Sequence, residues 1–485
     1  MTAFFKRLLF TLVLLGLVAG AWSLWSLHRS RHLPRVILLQ LPVEGIDPSQ
    51  SLGLGLLIKD QMEVASGATI LVPPERPQES LLASLPNEDV VVKFQGQRVG
   101  DLLALRMEWI ASKDLRAGKA WSVLETGPLP PQEAFARLKQ RGPLPVLRPG
   151  AEQLLPHTPA RFWDLAKAAS IQEDSAASQN LTLLRELSVT ESGSAAVWLT
   201  LGEYRYRMLW TQSVNTDMPQ LEALGAFDKA LHLIPGYPRA ALLKGLLLTD
   251  VGNQREAIRS LAEAHTLRRG VPELYSGLAY AGRTCGLLEG ASRAIAARDK
   301  LSEPFQLSMP WVADNTYLYA GQWGTFRATL GDRKDPFLYF YRGYLSILEG
   351  RQDLALPFFL AGAANRSTSL PFSDLCHIYA EGIQGHQDQA LEDLKTFGTA
   401  RGRLQIPDGE LTFKVAEAYG FLGKRDESIE TAGRAFAQGF GCLSWYERSP
   451  LLEVARRSPR WPSLRQHLQE RHSAMERSFP PDVFD

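Results

Sequence analysis

The stretch DVGNQREAIRSLAEA, residues 250–264, combines a glycine, a polar run and small apolar residues at helical spacing. Ala257, Leu261 and Ala264 follow one another at steps of four and three residues, which places them on one face of a helix. Gly252 stands before that helix, where a left-handed backbone conformation ends a preceding helix without steric penalty. The stretch therefore predicts a turn between two helices that pack through small side chains.

The same pattern recurs through the C-terminal two thirds of the chain. Six glycines precede comparable helical segments: Gly252, Gly286, Gly321, Gly350, Gly385 and Gly423. Most of their spacings are about 34 to 38 residues, which is the period of a repeat, and the copy after Gly321 is degenerate. One helical hairpin cannot bury its apolar face alone, so consecutive hairpins are expected to stack into a solenoid. The sequence thus predicts a mainly α fold.

The first clear copy carries the full set of motif residues: Trp198, Leu201, Gly202, Ala223, Phe227, Ala230 and Pro235. Their order and spacing resemble the tetratricopeptide repeat (TPR), with extra residues between the two helices. The resemblance covers residues 160–445 and implies a TPR-like α-solenoid of six or seven repeats. Residues 446–485 look like the helices that cap such arrays.

Residues 35–141 have the pattern of a small α/β domain. The predicted elements are a strand at 36–41, a helix at 49–66, a strand at 69–72, a hairpin at 89–110 that turns at Gly96-Gln97, a strand near 120–124 and a helix at 131–141. In the second hairpin strand Leu103, Leu105 and Met107 alternate with small or polar residues, which is the period of a half-buried strand. An order of strand, helix, strand and hairpin is typical of an α/β unit.

This unit resembles the TolB amino-terminal-like domain, which precedes helical repeats in some bacterial membrane-anchored proteins. The resembling stretches are the opening strand up to Pro42, the strand that leads from Val90 to Gly96, and GKAWSV at residues 118–123. Residues 142–159, which follow the unit, are dense in proline and glycine. Proline lacks an amide donor and restricts its neighbour, so this stretch predicts a linker.

The N-terminal 30 residues predict a membrane anchor. Residues 8–27, LLFTLVLLGLVAGAWSLWSL, carry no charge, and about 20 apolar residues suffice to cross a bilayer as a helix. A cleaved signal peptide is the alternative, because Ala19-Gly20-Ala21 has the small-x-small form of a cleavage site. Basic residues flank both ends, so charge leaves the orientation open. We expect a single-pass membrane protein with most of the chain on the extracytoplasmic, periplasmic side.

The composition and motifs argue against several classes of function. Lys and Arg number 53 against 52 Asp and Glu, so no global field favours nucleic acid. Cys285, Cys376 and Cys442 are widely separated and form neither a zinc-spaced set nor a redox pair. The sequence lacks a metalloprotease pair, a phosphate-binding loop and a nucleophile elbow. We predict no catalysis, no cofactor and no metal.

A binding surface remains, and the TPR resemblance implies where it lies. In that family the first helix of each pair lines the concave face. Carried over by phase, the partner-binding residues are Glu203, Tyr206, Arg207, Arg239, Tyr280, Arg283, Phe340 and Tyr344, with Leu242, Leu246, Glu273 and Tyr341 at related positions. Exposed Tyr and Arg often dominate binding energy at interfaces. The alternative is that several of these aromatic residues pack between neighbouring helix pairs.

The expected function is that of a membrane-anchored scaffold or adaptor that binds a protein or peptide through the concave face of the solenoid. The alternative function is a sensory or regulatory protein, related to the extracytoplasmic part of membrane-bound transcription activators. The sequence leaves the partner and the oligomeric state open.

Overall fold

The computed structural model describes residues 35–40, 45, 48–73, 76–142, 150–170, 177–211, 218–305, 311–331, 334–364, 371–406 and 408–485. Across these residues the chain is mainly helical, with a small sheet near its N-terminal end. The predicted anchor at residues 8–27 lies outside the described residues. Among the residues that are described, no helix combines the length and the apolar character needed to span a bilayer.

A five-stranded mixed sheet forms the α/β unit. Its strands are β1 (Arg35–Gln40), β2 (Thr69–Leu71), β3 (Val90–Val99), β4 (Leu102–Ala111) and β5 (Ser122–Leu129), in the order β2-β1-β3-β4-β5. The helices of the unit are α1 (Pro48–Ala65), α2 (Glu79–Ser84), α3 (Ser112–Arg116) and α4 (Pro131–Arg141). β1 is parallel to β2 and β3, whereas β3, β4 and β5 are antiparallel. The predicted order of strand, helix, strand and hairpin is confirmed.

The predicted position of the hairpin turn is wrong. Gly96 lies inside β3 opposite Leu105, and the chain reverses four residues later at Gly100-Asp101. Gly100 has a φ of 62°, a conformation that a two-residue hairpin turn requires and that glycine adopts without strain. Both glycines are acceptable turn residues, and the continuous pairing of β3 with β4 decides between them.

Helices make up the rest of the described chain, and every strand of the described residues precedes residue 130. Two helices, α5 (Pro159–Ala169) and α6 (Ala177–Thr190), come first. Seven helix pairs follow: α7 (Ala195–Thr211) with α8 (Met218–Leu233), α9 (Pro238–Asp250) with α10 (Gln254–Leu267), α11 (Pro272–Thr284) with α12 (Leu288–Ser302), α13 (Trp311–Tyr319) with α14 (Trp323–Thr329), α15 (Pro336–Leu348) with α16 (Gln352–Ala363), α17 (Pro371–Ile383) with α18 (Gln387–Gly402), and α19 (Gly409–Phe421) with α20 (Arg425–Ala437). The last helices are α21 (Leu443–Arg448), α22 (Glu453–Arg456) and α23 (Trp461–Ser478).

The repeat glycines occupy the turns within the pairs, as the sequence predicts. All six have a positive φ, between 71° and 88°. Small residues also stand at the crossings of the paired helices. A Cβ atom added to Gly245 of α9 would lie 2.6 Å from Leu261 of α10, and one added to Gly202 of α7 would lie 2.7 Å from Phe227 of α8. Each first helix thus approaches its second helix closely because a glycine faces a large side chain.

The α/β unit packs directly on the helices that follow it. A Cβ atom on Gly53 of α1 would lie 1.7 Å from the Ala166 carbonyl oxygen of α5, so the two backbones touch. The described residues form two main hydrophobic cores: one runs from the sheet through α12 and also contains Met475 of α23 and Phe484, and the other runs from α13 to α23. A small third core lies between the sheet and α2. The described part of the predicted linker, residues 150–158, contributes the buried Leu154 to the first core, and its carbonyl oxygen accepts from the Ser194 hydroxyl at 2.8 Å.

The arrangement is solenoid-like, but its last pairs return to the middle of the chain. The Gly441 amide donates to the Thr284 carbonyl oxygen at 2.7 Å, which joins the start of α21 to the end of α11. The Gln254 side-chain amide donates to the Gly439 carbonyl oxygen at 3.0 Å, at the start of α10. The two cores are therefore held together by direct contacts between helix turns that are distant in sequence.

Candidate functional site

The predicted partner-binding residues of the first three pairs define what we call the inner surface. It is the side of α7, α9 and α11 that carries Glu203, Tyr206, Arg239, Tyr280 and Arg283. The repeat phase brings these side chains onto one surface, but other parts of the chain lie against it. α1 covers its first part, and α19 approaches its second part.

α1 contacts the first part of the inner surface through buried charges. Asp60, 1% exposed, accepts from the Tyr237 hydroxyl at 2.7 Å and from Arg239 Nη1 at 3.1 Å. The other arm of Arg239 donates to Glu203. Burial opposes the charged form of Glu203, but Arg239 and Arg207 outweigh it and hold the pKa of this carboxyl below its usual value. One of the predicted partner-binding side chains, Arg239, thus binds α1 of the same chain and also holds Glu203 in place.

A second ion pair fixes α1 on α11. Lys59 Nζ lies 3.1 Å from Glu273 Oε1 and also bonds to Glu63 one turn further along α1. Burial raises the pKa of Glu63 to about 7 in spite of Lys59. α1 is therefore tied to α9 and α11 by charged groups that are largely buried.

The second part of the inner surface faces the end of α9 and the start of α19. Tyr206 and Tyr280 both donate to Asp250, the latter at 2.6 Å. Burial raises the pKa of Asp250 to about 8, and the nearby carboxylate of Asp408 adds to this effect. Arg283 Nη2 donates to Glu410 at 2.8 Å, and both side chains are buried. These contacts hold the returning helix against the middle pairs.

Phe340 and Tyr344 of α15 are fully buried, so the expectation that they are exposed is wrong. Their rings stack at a centroid separation of 5.5 Å within the second core. The Tyr344 hydroxyl donates to Glu417 and accepts from Lys414 Nζ, both at 2.7 Å. The alternative interpretation, packing between neighbouring pairs, describes them, because aromatic rings of α16 and α17 and charged groups of α19 fill this part.

Arg207 is the most open of the eight predicted residues. Its side chain is 56% exposed and donates to Glu203 at 3.0 Å. The partner-binding roles of the eight residues remain predictions. Sequence reasoning missed Asp60 and Glu410, which complete the inner surface. No local sequence signal identifies these two residues. For Asp60, the reason is that α1 has an ordinary polar face, which becomes buried only when α1 docks onto the repeats.

A groove of about 880 Å³ lies outside the inner surface, between the turn before α12, α21, α23 and the segment that follows α23. Its lining includes Leu287, Arg293, Leu443, His472, Phe479 and Phe484. The volume falls within the range of pockets that hold ligands in proteins. None of the eight predicted residues lines it, and its parts come from regions that are distant in sequence.

The groove has an apolar base and a charged rim. Leu287, Leu443 and Phe479 are buried, whereas Glu289 and Glu447 at the rim have side chains that are 69% and 34% exposed. Charges of both signs surround the base. This distribution, with an apolar centre and a polar edge, is typical of surfaces that bind polypeptides.

The described residues contain no group of three His, Cys, Asp or Glu side chains placed to hold a metal ion. The three cysteines are unpaired and buried, and burial raises the pKa of the Cys285 thiol to about 12 and that of Cys442 to about 11. Such thiols are poor nucleophiles at neutral pH.

Comparison of the sequence with protein-family models finds no family that matches, and comparison with curated proteins finds no match either.

Proposed function

We propose that the protein is a membrane-anchored, non-catalytic interaction protein whose TPR-like repeats bind a polypeptide in the groove beside α12. The proposal rests on the groove, which has a volume of about 880 Å³, an apolar base and a rim of mixed charge. The phased turn glycines and the glycine-to-large crossings support the TPR assignment. The uncharged run at residues 8–27 supports the anchor, and the five-stranded sheet agrees with a TolB-like unit.

The groove is a better binding surface than the inner surface because a partner can enter it without breaking a buried ion pair. A partner on the inner surface would have to displace α1 and separate Asp60 from Arg239. Loss of one member of a buried ion pair destabilises a protein by about 3–5 kcal/mol. The groove keeps its charges at the rim, where a partner contacts them without such a penalty.

A binding function also agrees better with the positions of the perturbed titratable groups. Catalytic sites bring such groups together in a cleft. Burial raises the pKa of Asp250 and lowers that of Lys414, but neither residue lines the groove. Asp250 of α9 bonds to tyrosines of α7 and α11, and Lys414 of α19 bonds to Tyr344 of α15, which is a structural role.

The anchor would hold the folded body close to the bilayer. Arg35 starts β1 and stands eight residues after Leu27, the end of the apolar run. Eight residues span at most about 26–29 Å when fully extended. We place the body on the extracytoplasmic side, as in the membrane-anchored proteins that the α/β unit resembles, and the partner would reach the groove there.

A photo-cross-linking experiment tests the groove. A photoreactive amino acid would replace Gln322, an exposed residue of the groove lining, in the full-length protein in its native membranes. The matched control would carry the same group at Lys395, which is exposed on α18 and does not line the groove. We expect a discrete cross-linked polypeptide only from position 322. Identical patterns from both positions, or no adduct at either, would contradict the proposal.

A thiol-labelling experiment tests the location. The native cysteines are buried, so Gln322→Cys supplies the accessible thiol. We expect a membrane-impermeant maleimide to label this variant in intact spheroplasts to the same extent as after lysis. Labelling that requires lysis would place the body on the cytoplasmic side and refute this part of the proposal.

A further inference from the structure

The segment FPPDVFD, residues 479–485, leaves α23 and lies against α11 and α12. Phe484 is 0% exposed, with its ring between Gly282 of α11 and Gly290 of α12. Cβ atoms added to these glycines would lie 2.7 Å and 2.5 Å from the ring. The slot for Phe484 therefore exists only because both positions are glycine.

Glycines near the ends of two other first helices face residues that come next in the chain. Gly382 near the end of α17 faces Phe421, which belongs to the following pair, and Gly420 near the end of α19 faces Leu451 just beyond that pair. Gly282 near the end of α11 instead faces Phe484, far along the chain. A ring that is distant in sequence therefore makes this contact, whereas α17 and α19 use residues that follow directly in the chain.

Polar contacts accompany the ring. Asp485 Oδ2 lies 3.3 Å from Nη1 of Arg293, a residue of the groove rim. Arg255 donates to the Ser478 hydroxyl at 2.8 Å at the other end of the segment. The bound segment thus displays the chemistry that the site accepts, which is an aromatic ring in an apolar slot followed by a carboxylate at an arginine.

We propose that this slot is the aromatic subsite of the groove, and that the polypeptide partner displaces residues 479–485 by inserting an aromatic residue followed by an acidic one. The inference rests on the proposed function of the groove. Phe484 lines both the slot and the groove, so the two are continuous. The segment in the free protein therefore acts as a built-in competitor.

Displacement is feasible because, besides the rings of Phe479 and Phe484, only weak contacts hold the segment. It forms one short 3-10 turn, Pro481–Phe484, and pairs with no strand. The Arg293–Asp485 pair is about half exposed on both sides, and such pairs contribute little to stability. A tethered ligand competes at an effective concentration of roughly millimolar, which a partner exceeds by making added contacts along the groove.

The test uses a fluorescent peptide, acetyl-SFPPDVFD-amide, and the full-length protein in detergent. Phe484→Ala empties the slot, and we expect the peptide to bind this variant about tenfold or more tightly than the wild-type protein. Adding Gly290→Ala to Phe484→Ala places a methyl group in the slot and should reverse the gain. The control peptide SFPPDVAD lacks the ring and should not discriminate among the three proteins.

A second variant tests the proposal independently of any folding defect that Phe484→Ala causes. Asp485→Arg leaves every core side chain in place and puts a positive charge beside Arg293. We expect the peptide to bind this variant about threefold more tightly than the wild-type protein, because the built-in competitor is weakened. Circular dichroism would verify that each variant retains its helices.

The outcomes separate the two proposals. Equal peptide affinity for the wild-type, Phe484→Ala and Asp485→Arg proteins would overturn the aromatic subsite. If the yield of the partner cross-linked from position 322 does not rise in Phe484→Ala, the aromatic subsite is also overturned. The proposed function would still stand in that case. Peptide binding as expected without any captured partner would support the subsite and count against the proposed function.

Discussion

The inner surface and the groove both include parts of the pair α11–α12, but they differ in the side chains that they bury. The inner surface carries charged side chains that are buried against α1 and α19, as in the contact of Arg239 with Asp60 and Glu203. The groove buries only apolar side chains at its base and leaves its charges at the rim. A surface formed by first helices can therefore be part of the protein's own core.

Electrostatics explains the difference. A buried charge is tolerated only when fixed partners satisfy it, and partners on the same chain are always present. Rim charges keep their hydration, so they need no permanent partner and remain open to others. Four predictions test this contrast, beginning with the one that should change stability most.

Arg239→Ala should destabilise the protein by about 3–5 kcal/mol, because it leaves the buried carboxylates of Asp60 and Glu203 without their shared cation. Urea unfolding followed by circular dichroism would measure the change in the free energy of unfolding. Arg207→Ala is the matched control, since Arg207 binds the same Glu203 from an exposed position and its loss should cost less than about 1 kcal/mol. Equal effects of the two substitutions would mean that burial does not set the energy of the inner surface.

Ala257→Leu should destabilise by about 1–3 kcal/mol through overpacking of a helix crossing. Ala257 is fully buried in α10, which packs against its partner helix α9. Glu263→Leu, at an exposed position of the same helix, introduces the same side chain without a crossing and should be nearly neutral. Thermal unfolding of the pair would compare them, and a tolerant Ala257→Leu would contradict the close approach of the helices.

Asp250→Asn should flatten the pH dependence of stability. The pKa of Asp250 is raised to about 8 in the folded protein, against about 4 in an unfolded chain. Between these values the folded state retains a proton that the unfolded state releases, so stability falls as pH rises, by up to about 1.4 kcal/mol per pH unit. The variant lacks this proton equilibrium.

Urea unfolding at pH 5, 6, 7 and 8 would give both profiles. The asparagine amide can accept from one of the two tyrosine hydroxyls and donate to the other, so the fold should persist. Parallel profiles for the variant and the wild-type protein would show that Asp250 is ionised at the inner surface at neutral pH, contrary to our expectation.

Ala296→Trp should change stability least, within about 0.5 kcal/mol, because Ala296 is an exposed residue of α12. Because Ala296 lines the groove, the new indole would nevertheless fill it. The yield of the partner cross-linked from position 322 should then fall sharply. Ala437→Trp, at the exposed end of α20, adds the same ring outside the groove and should leave capture unchanged. An unchanged cross-linking yield in Ala296→Trp would mean that the partner binds a different surface.

Local features of the fold were predictable because they depend on residues close in sequence. The left-handed turns at Gly252 and Gly286, and the alternation in β4, follow from short spacings. The hairpin turn was misplaced because Gly96 and Gly100 are equally good turn residues, and only the pairing of whole strands distinguishes them. The burial of Phe340 depends on rings from neighbouring pairs, which no spacing within α15 reveals.

The sequence by itself determined that the chain forms a small α/β unit and then helical hairpins, since periodicity, glycine conformation and proline restriction act over a few residues. The tertiary structure alone decided which surface stays open. Asp60 meets Arg239, Gly441 meets Thr284, and Phe484 meets Gly290 across long stretches of chain. Contacts of this kind form only when complete helices dock. The free energy gained by burying these groups arises in the folded protein and cannot be assigned to any local segment.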